Sequence, residues 1–268
     1  MKTKFIGKNC IKIEKLNSTN AYLLDLLKDN NFSEGVVLVG VEQMDGRGQR
    51  GTTWESEPGK NLTFSILLKP HFLKIHDQFF LSQAVSLGVV KFIIQCLNLE
   101  EPNPLNLDTN ERVKIKWPND VYVDNKKIAG ILIENSLLSD SINYSIVGIG
   151  LNVNQIHFSA TLANPISLKK IVGRDFDLEN CLRQLCFCIE ETYIQLQSNS
   201  NTFICGFDSI SAEYTSNLYL LNEFANYRYQ EKVIIAKIIR VSNYGKLILE
   251  KQSGELIECD LKEIKFLE

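Results

Sequence analysis

Gly46-Arg47-Gly48-Gln49-Arg50-Gly51 spells the G-x-G-x-x-G of a dinucleotide-binding loop, but its flanks deny the chain that fold. A dinucleotide fingerprint opens a helix whose N-terminus receives the pyrophosphate, inside a strand-turn-helix unit. Here Thr52 to Asn61 is polar, carries Pro58 and Gly59, and runs into Leu62 to Leu68, an apolar segment that reads as a strand. Upstream, Gly35 to Gln43 is a β-branched strand. The loop therefore joins strand to strand. Its Arg47 and Arg50 add guanidinium groups to the backbone N–H groups of a glycine turn, a combination suited to an anion.

Helical and strand signals alternate around that loop. Cys10 to Leu16 reads as a short strand. Ser18 and Thr19 offer hydroxyl caps to a helix with Leu23, Leu24, Leu26 and Leu27 at helical spacing, stopped at Asn30 and Asn31. Gln78 to Leu97 is apolar around most of its circumference and predicts a buried helix. Glu100 to Arg112 is polar and contains Pro102 and Pro104, which predicts a surface loop. A run of strands follows at Val113 to Trp117, Val121 to Val123, Lys127 to Glu134 and Ile142 to Leu151, with Asp124-Asn125 as a tight hairpin turn. Residues 175–198 predict an amphipathic helix, and a shorter one is expected around Cys205 to Tyr214. From about Glu231 the texture changes to short strands at Val233 to Val241, Lys246 to Leu249, Glu255 to Cys259 and Ile264 to Leu267. These predict a small β module docked on the larger unit, dividing the chain into 1–225 and 226–268.

A formal net charge of −3 argues against broad binding of nucleic acid or anionic membrane, so an anionic ligand must be met by a local cluster of cations. Cys10, Cys96, Cys181, Cys186, Cys188, Cys205 and Cys259 form an odd set without a C-x-x-C pair, which spells neither a disulfide framework nor a zinc site. Reduced thiols are expected. Met1 to Asn9 has lysines but no apolar run behind them, and no stretch is read as approaching a membrane span; the expectation is a soluble, cytoplasmic protein.

The segment Lys116-Trp117-Pro118-Asn119-Asp120 follows a strand, where Pro118 keeps Trp117 extended and Asn119-Asp120 favours a bend. Such a strand end presents an ammonium, an amide and a carboxylate to one pocket, for phosphate charge and for a metal ion or a nucleophile's proton. The same residues also fit a strand terminus with a surface ion pair. Lys127 enters a strand that is otherwise apolar, so it either reaches water or pairs with an anion. Gly130, Gly148 and Gly150 lie within strands, where glycine suits the close approach of a ligand or another backbone. Asn152 is placed to read a base or to cap a turn, and Trp54 to stack on a ring or to cover the core. His71, His76 and His157 have no metal-ligand spacing and no nucleophile partner, and no metal site is assigned.

Together Ser18-Thr19-Asn20, the glycine loop, Lys116 to Asp120, Lys127-Ile128-Ala129-Gly130-Ile131-Leu132 and Gly148-Ile149-Gly150-Leu151-Asn152 stand in the order and approximate spacing of the biotin protein ligases, which the chain resembles over almost its full length. The resemblance implies an α+β fold, a mixed β-sheet flanked by helices with a small C-terminal SH3-like β-barrel. It implies that biotin and ATP form biotinyl-5′-adenylate, and that a lysine of a biotin carboxyl carrier domain then attacks it. Carried over by motif, Ser18, Thr19, Asn20, Gln43, Arg47, Gly48, Gln49, Lys127, Gly130, Gly148 and Gly150 would hold biotin or its acyl phosphate. Arg47, Arg50, Trp54, Lys116, Asn119 and Asn152 would serve ATP, with magnesium as the nucleotide's metal. Asp120 would lie near the attacking lysine or a magnesium ion, and Arg47, Lys116, Asp120 and Lys127 form the catalytic set.

That roster suits the chemistry, because joining a carboxylate to the α-phosphate of ATP concentrates negative charge where Arg47, Lys116 and Lys127 supply fixed cations. The glycine loop is expected to close over the adenylate and keep water from it. Two positions depart from many relatives: Gln49 stands where arginine is common, and Thr52 where some carry a basic residue. The first motif begins at Ser18, which suggests a ligase without the N-terminal DNA-binding domain of bifunctional members. A homodimer is left open. The alternatives are a lipoate or octanoate transferase of the same superfamily, and a non-catalytic biotin sensor.

Overall fold

A computed structural model describes residues 2–98, 109–198 and 206–267, and at Arg50 the backbone alone. Most of the expected loop from Glu100 onward, and Cys205, lie outside the described residues. In chain order the elements are β1 (Cys10–Leu16), α1 (Thr19–Asp29), β2 (Val37–Gln43), β3 (Leu62–Leu68), α2 (Gln78–Asn98), α3 (Thr109–Arg112), β4 (Val113–Lys116), β5 (Asp120–Val123), β6 (Lys126–Leu138) and β7 (Ser141–Leu151). There follow α4 (Leu168–Val172), α5 (Leu178–Gln197), α6 (Gly206–Ser216), β8 (Phe224–Tyr229), β9 (Lys232–Val241), β10 (Leu247–Lys251), β11 (Leu256–Cys259) and β12 (Ile264–Phe266).

The first seven strands make one mixed sheet in the order β1-β2-β3-β7-β6-β5-β4. Only β1 and β2 run parallel, and α1 makes the crossover that a parallel pair requires. Helix α1 starts at Ser18, whose hydroxyl accepts from the Ala21 N–H, and stops at Asn30, in extended conformation. It covers one face of the sheet, with Leu23 packed among Leu16, Leu38, Leu67 and Ile146. The opposite face carries the main core, in which Phe92 of α2 and Ile189 of α5 are fully buried with Phe64 and Ile66 of β3. Strand β3 is buried at every position, as its unbroken apolar run requires. Asp124 and Asn125 sit at φ 48° and 62°, the left-handed pair that a two-residue hairpin turn demands.

Four expectations need correction. The second sheet, ordered β11-β10-β9-β8-β12, begins at Phe224, ahead of both the Glu231 texture change and the 226 boundary. Leu221-Asn222 makes the turn before it, with Asn222 at φ 59°, so the strand starts sooner than the alternation of β9 suggests. Its end strands β11 and β12 are not paired with one another among the described residues, so this sheet is open rather than a closed barrel. Helix α4 was not anticipated, being too short for a periodic signal. And Ile75–Asn98 does reach the length and apolarity of a membrane span, with a mean hydropathy of 1.7; its burial, 78%, makes it the core helix of this fold.

The second sheet docks through Tyr227, Ile238, Leu247 and Leu249, which join the main core. Trp117 Nε1 donates to the Gly245 carbonyl at 3.0 Å, and the Phe79 ring lies against Gly245.

Candidate active site

One cavity of about 750 Å³ takes its wall from both sheets. Ser18, Thr19, Asn20, Gln43, Arg47, Gly48, Gln49, Trp54, Lys116, Asn119, Asp120, Lys127, Gly130, Gly148 and Gly150 all line it, so most residues singled out from the sequence meet in one place. Both tryptophans of the chain, Trp54 and Trp117, stand on that wall.

Its floor is made by β6 and β7, where Gly130 pairs with Gly150. A Cβ on Gly150 would collide with the Trp54 indole, and one on Gly148 with the Asn20 side chain. Glycine is needed at both because other groups lie flat on the strand backbone. Asn20 is 3% exposed, and its amide is engaged within the fold. Its Oδ1 accepts from Ser65 Oγ at 2.6 Å, and its Nδ2 donates to Glu134 Oε2 at 2.7 Å and to the Leu132 carbonyl at 3.2 Å. Gln43 Oε1 accepts from the Thr19 N–H at 3.0 Å, tying the end of β2 to the start of α1.

The glycine loop folds back on itself. Gly48 N donates to the Thr52 carbonyl at 2.7 Å and Trp54 N to the Gly46 carbonyl at 2.8 Å, around a single 3-10 turn at Gln49–Gly51. This return places the Trp54 indole on the glycine floor, with its buried N–H meeting no acceptor among the described residues. Arg47 extends from the loop with 57% of its side chain exposed, 4.0 Å from Asp45. At that distance and exposure the attraction is weak, and the guanidinium keeps its capacity for another anion.

The Lys116 to Asp120 segment is clamped from several directions. Its Trp117–Pro118 peptide is cis. Tyr214 Oη donates to the Pro118 carbonyl at 3.0 Å, Asn119 Nδ2 donates to the Ile131 carbonyl, and Ile131 N returns a bond to the Asn119 carbonyl at 3.1 Å. Lys116 Nζ lies 3.1 Å from Tyr122 Oη. Lys127 Nζ lies 2.7 Å from Asp120 Oδ2 and 5.8 Å from the centre of the Trp54 ring. Among the described lining residues Arg47, Lys116, Lys127 and Lys265 are cationic and Asp120 alone is acidic. Cations thus outnumber acids in the described lining, in a chain whose net charge is −3.

Asn152 is not brought into the cavity. It is 4% exposed, and its Nδ2 donates to the Ile166 carbonyl at 3.0 Å. Ile166 N in turn donates to the Lys127 carbonyl at 2.9 Å, so Asn152 helps hold the backbone beneath Lys127. The side chain of Arg50 lies outside the described residues.

Sequence reasoning missed Tyr122, Thr63 and Ala163, and the C-terminal residues Leu261, Ile264, Lys265, Phe266 and Leu267. Tyr122 was accessible, since residues two apart in a strand share a face and Asp120 had been singled out. The C-terminal group carries no local signal, because it reaches the cavity only through the docking of one sheet on the other.

Comparison with known proteins agrees with this geometry. Residues 13–152 match the biotin/lipoate A/B protein ligase family. The chain is 28% identical over 258 residues to the bifunctional ligase/repressor BirA of Bacillus subtilis, covering 95% of this chain and 73% of that one. It is 31% identical over 192 residues to the biotin–[acetyl-CoA-carboxylase] ligase of Paracoccus denitrificans, covering 69% and 73% respectively. Among solved structures, the biotin protein ligase of Aquifex aeolicus in complex with biotin and ATP superimposes with a TM-score of 0.73 at 28% identity, over 96% of this chain and 98% of that one.

Proposed function

The chain belongs to the biotin/lipoate A/B protein ligase family, and from that premise we propose that it is an ATP-dependent biotin–protein ligase. In the first half-reaction a biotin carboxylate oxygen attacks the α-phosphorus of ATP, and the bond to the β-phosphate breaks to release pyrophosphate. In the second, the ε-amine of a lysine on a biotin carboxyl carrier domain attacks the acyl carbon; the bond to AMP breaks, and the amine gives up a proton.

The observation that carries this reading is the convergence of Arg47, Lys116 and Lys127 over a glycine-floored cavity. Negative charge builds on the attacked phosphate and the departing pyrophosphate, and fixed cations lower that barrier. We assign Ser18, Thr19 and Gln43 to the polar ring of biotin, and the wall that Gly130, Gly148 and Gly150 form beneath Trp54 and Asn20 to its apolar body. Arg47 and Lys127 face the acyl phosphate, Lys116 the triphosphate, and Trp54 and Asn119 the nucleotide. Asp120 is assigned to the side from which the acceptor lysine arrives. Asn20 acts by holding α1 to the sheet, and Asn152 by supporting the backbone of Lys127.

The donor set does not fit a resident magnesium ion. Asp120 is the one carboxylate among the described lining residues and is engaged by Lys127, and the described residues hold no group of three His, Cys, Asp or Glu suited to a metal. Magnesium accordingly enters as the metal of ATP, held by its phosphates. We further propose a catalytic unit followed by a β unit of SH3-like type starting at Phe224, a cytoplasmic setting, and no nucleic-acid partner.

Incubation of the full chain with ATP, magnesium and labelled biotin or lipoate, with and without a carrier domain, tests the function. Biotin-dependent pyrophosphate release and carrier labelling are expected. Labelling by lipoate alone would assign the sister activity, and biotin binding without pyrophosphate release would make the protein a sensor.

A further inference from the structure

The glycine loop is a small hairpin closed by its own residues. Arg47 pairs with Thr53 across it, flanked by the bonds from Gly48 N to the Thr52 carbonyl and from Trp54 N to the Gly46 carbonyl. Gln49–Gly51 joins the two arms, with Gly51 at φ 77°, a left-handed turn that glycine makes without strain. Thr52 stands where some relatives carry a basic residue, and it ties that turn down twice. Its hydroxyl donates to the Gln49 carbonyl at 2.8 Å, and its N–H donates to the same oxygen at 3.2 Å. The hydroxyl also lies over Gly48, where a Cβ would collide with it. Hydroxyl and glycine thus fit one another, and the arm bearing Arg47 lies close against the arm bearing Thr52. The stem is held by other partners: Met44 N donates to the Leu16 carbonyl and Asp45 N to the Asn17 carbonyl.

We propose that Thr52 is a positioning residue for Arg47. Its hydroxyl braces the hairpin, so that bonds within the chain itself fix the backbone from which the guanidinium reaches the cavity. An exposed arginine has many rotamers, and where its charge falls depends on how firmly that backbone is held. Lysine or arginine at position 52 would supply charge, whereas threonine supplies a short hydroxyl that reaches back three residues to a carbonyl. This inference rests on the assignment of Arg47 to the acyl phosphate under Proposed function.

The test compares Thr52→Val, which keeps the shape but loses the hydroxyl, with Thr52→Ser, which keeps the hydroxyl. Both are made in the full chain and in an Arg47→Ala background. In biotin-dependent pyrophosphate exchange, Thr52→Val is expected to lower kcat roughly three- to tenfold, with the melting temperature unchanged and Thr52→Ser restoring most of the rate. In the Arg47→Ala background Thr52→Val should cost nothing further. Wild-type kcat in Thr52→Val, or an equal loss in both backgrounds, overturns the proposal. A second readout is independent of activity: the rate at which backbone amides exchange with water, measured by NMR. Thr52→Val should speed exchange at Gly48 and Thr52 roughly three- to tenfold, leave Met44 and Asp45 unchanged, and be reversed by Thr52→Ser. If the wild type lacks biotin-dependent pyrophosphate exchange, the functional reading fails on its own, whereas unaltered amide exchange at Gly48 and Thr52 in Thr52→Val would overturn the brace.

Discussion

The ammonium of Lys127 lies 2.7 Å from the carboxylate of Asp120, with 31% and 25% of the two side chains exposed. A pair this accessible stabilises a fold by at most about 1 kcal/mol, so its value is in placing charge. Lys127→Ala should therefore lower adenylate formation by about tenfold or more while moving the melting temperature only slightly. Asp120→Asn should leave adenylate formation nearer to wild type and slow transfer to the carrier. Single-turnover measurement of each half-reaction distinguishes the two, and equal losses in both steps for both variants would contradict the assignment.

Arg47 and Gln49 share the folded-back loop, but only the first carries charge. Arg47→Ala should impair adenylate formation about tenfold or more with the fold intact, since its nearest acid is 4.0 Å away and it is largely exposed. Gln49→Arg adds a cation beside the adenylate phosphate and should slow its escape. A chase of labelled biotinyl-adenylate with excess unlabelled biotin measures this, and an unchanged or faster release would count against closure of the glycine loop over the adenylate.

Glu190 is 3% exposed and accepts three backbone N–H groups, from Lys4 at 2.5 Å and from Phe5 and Ile6 at 2.8 Å. Glu190→Ala strands these donors and should cost about 3 kcal/mol, roughly 6–12 °C in melting temperature for a protein of this size. Calorimetry checks the value. Catalysis at low temperature should persist, because the carboxylate lies on α5, away from the cavity wall.

Burial pushes the thiols of Cys96, Cys186 and Cys259 up to about 12, and those of Cys181 and Cys188 up to about 11, from an ordinary 9.0. The fold thus favours the protonated form. The stability this contributes is complete below pH 9 and declines as pH rises through 11 to 12. A denaturant midpoint lower at pH 10 than at pH 8 is expected, together with slow alkylation of these thiols at pH 8 unless urea is present. Rapid alkylation of all five in the native protein would contradict the burial.

Local chemistry explains what could be read in advance. The bounds of β3 follow directly from its apolar run, and those of α1 from Ser18 and Asn30. The Asp124-Asn125 turn is written in two residues that tolerate positive φ. Asn20 and Asn152 were placed at the cavity by their motifs, but whether an amide faces a ligand or a carbonyl depends on neighbours remote in sequence: Ser65 and Glu134 for one, Ile166 for the other. Phe266 is the extreme case, separated from Lys116 by most of the second half of the chain and joined to it only by tertiary docking.

Trp54 and Trp117 are the only tryptophans in the sequence, and both stand on the cavity wall. The indole emission of the whole molecule therefore originates at the site. Both indoles border the cavity, so a titration of the unlabelled protein can follow the entry of each substrate, and Trp54→Phe separates the loop's response from that of the strand end, where Trp117 also packs in the core. The placement that covers the glycine floor also equips the chain with its own optical reporter.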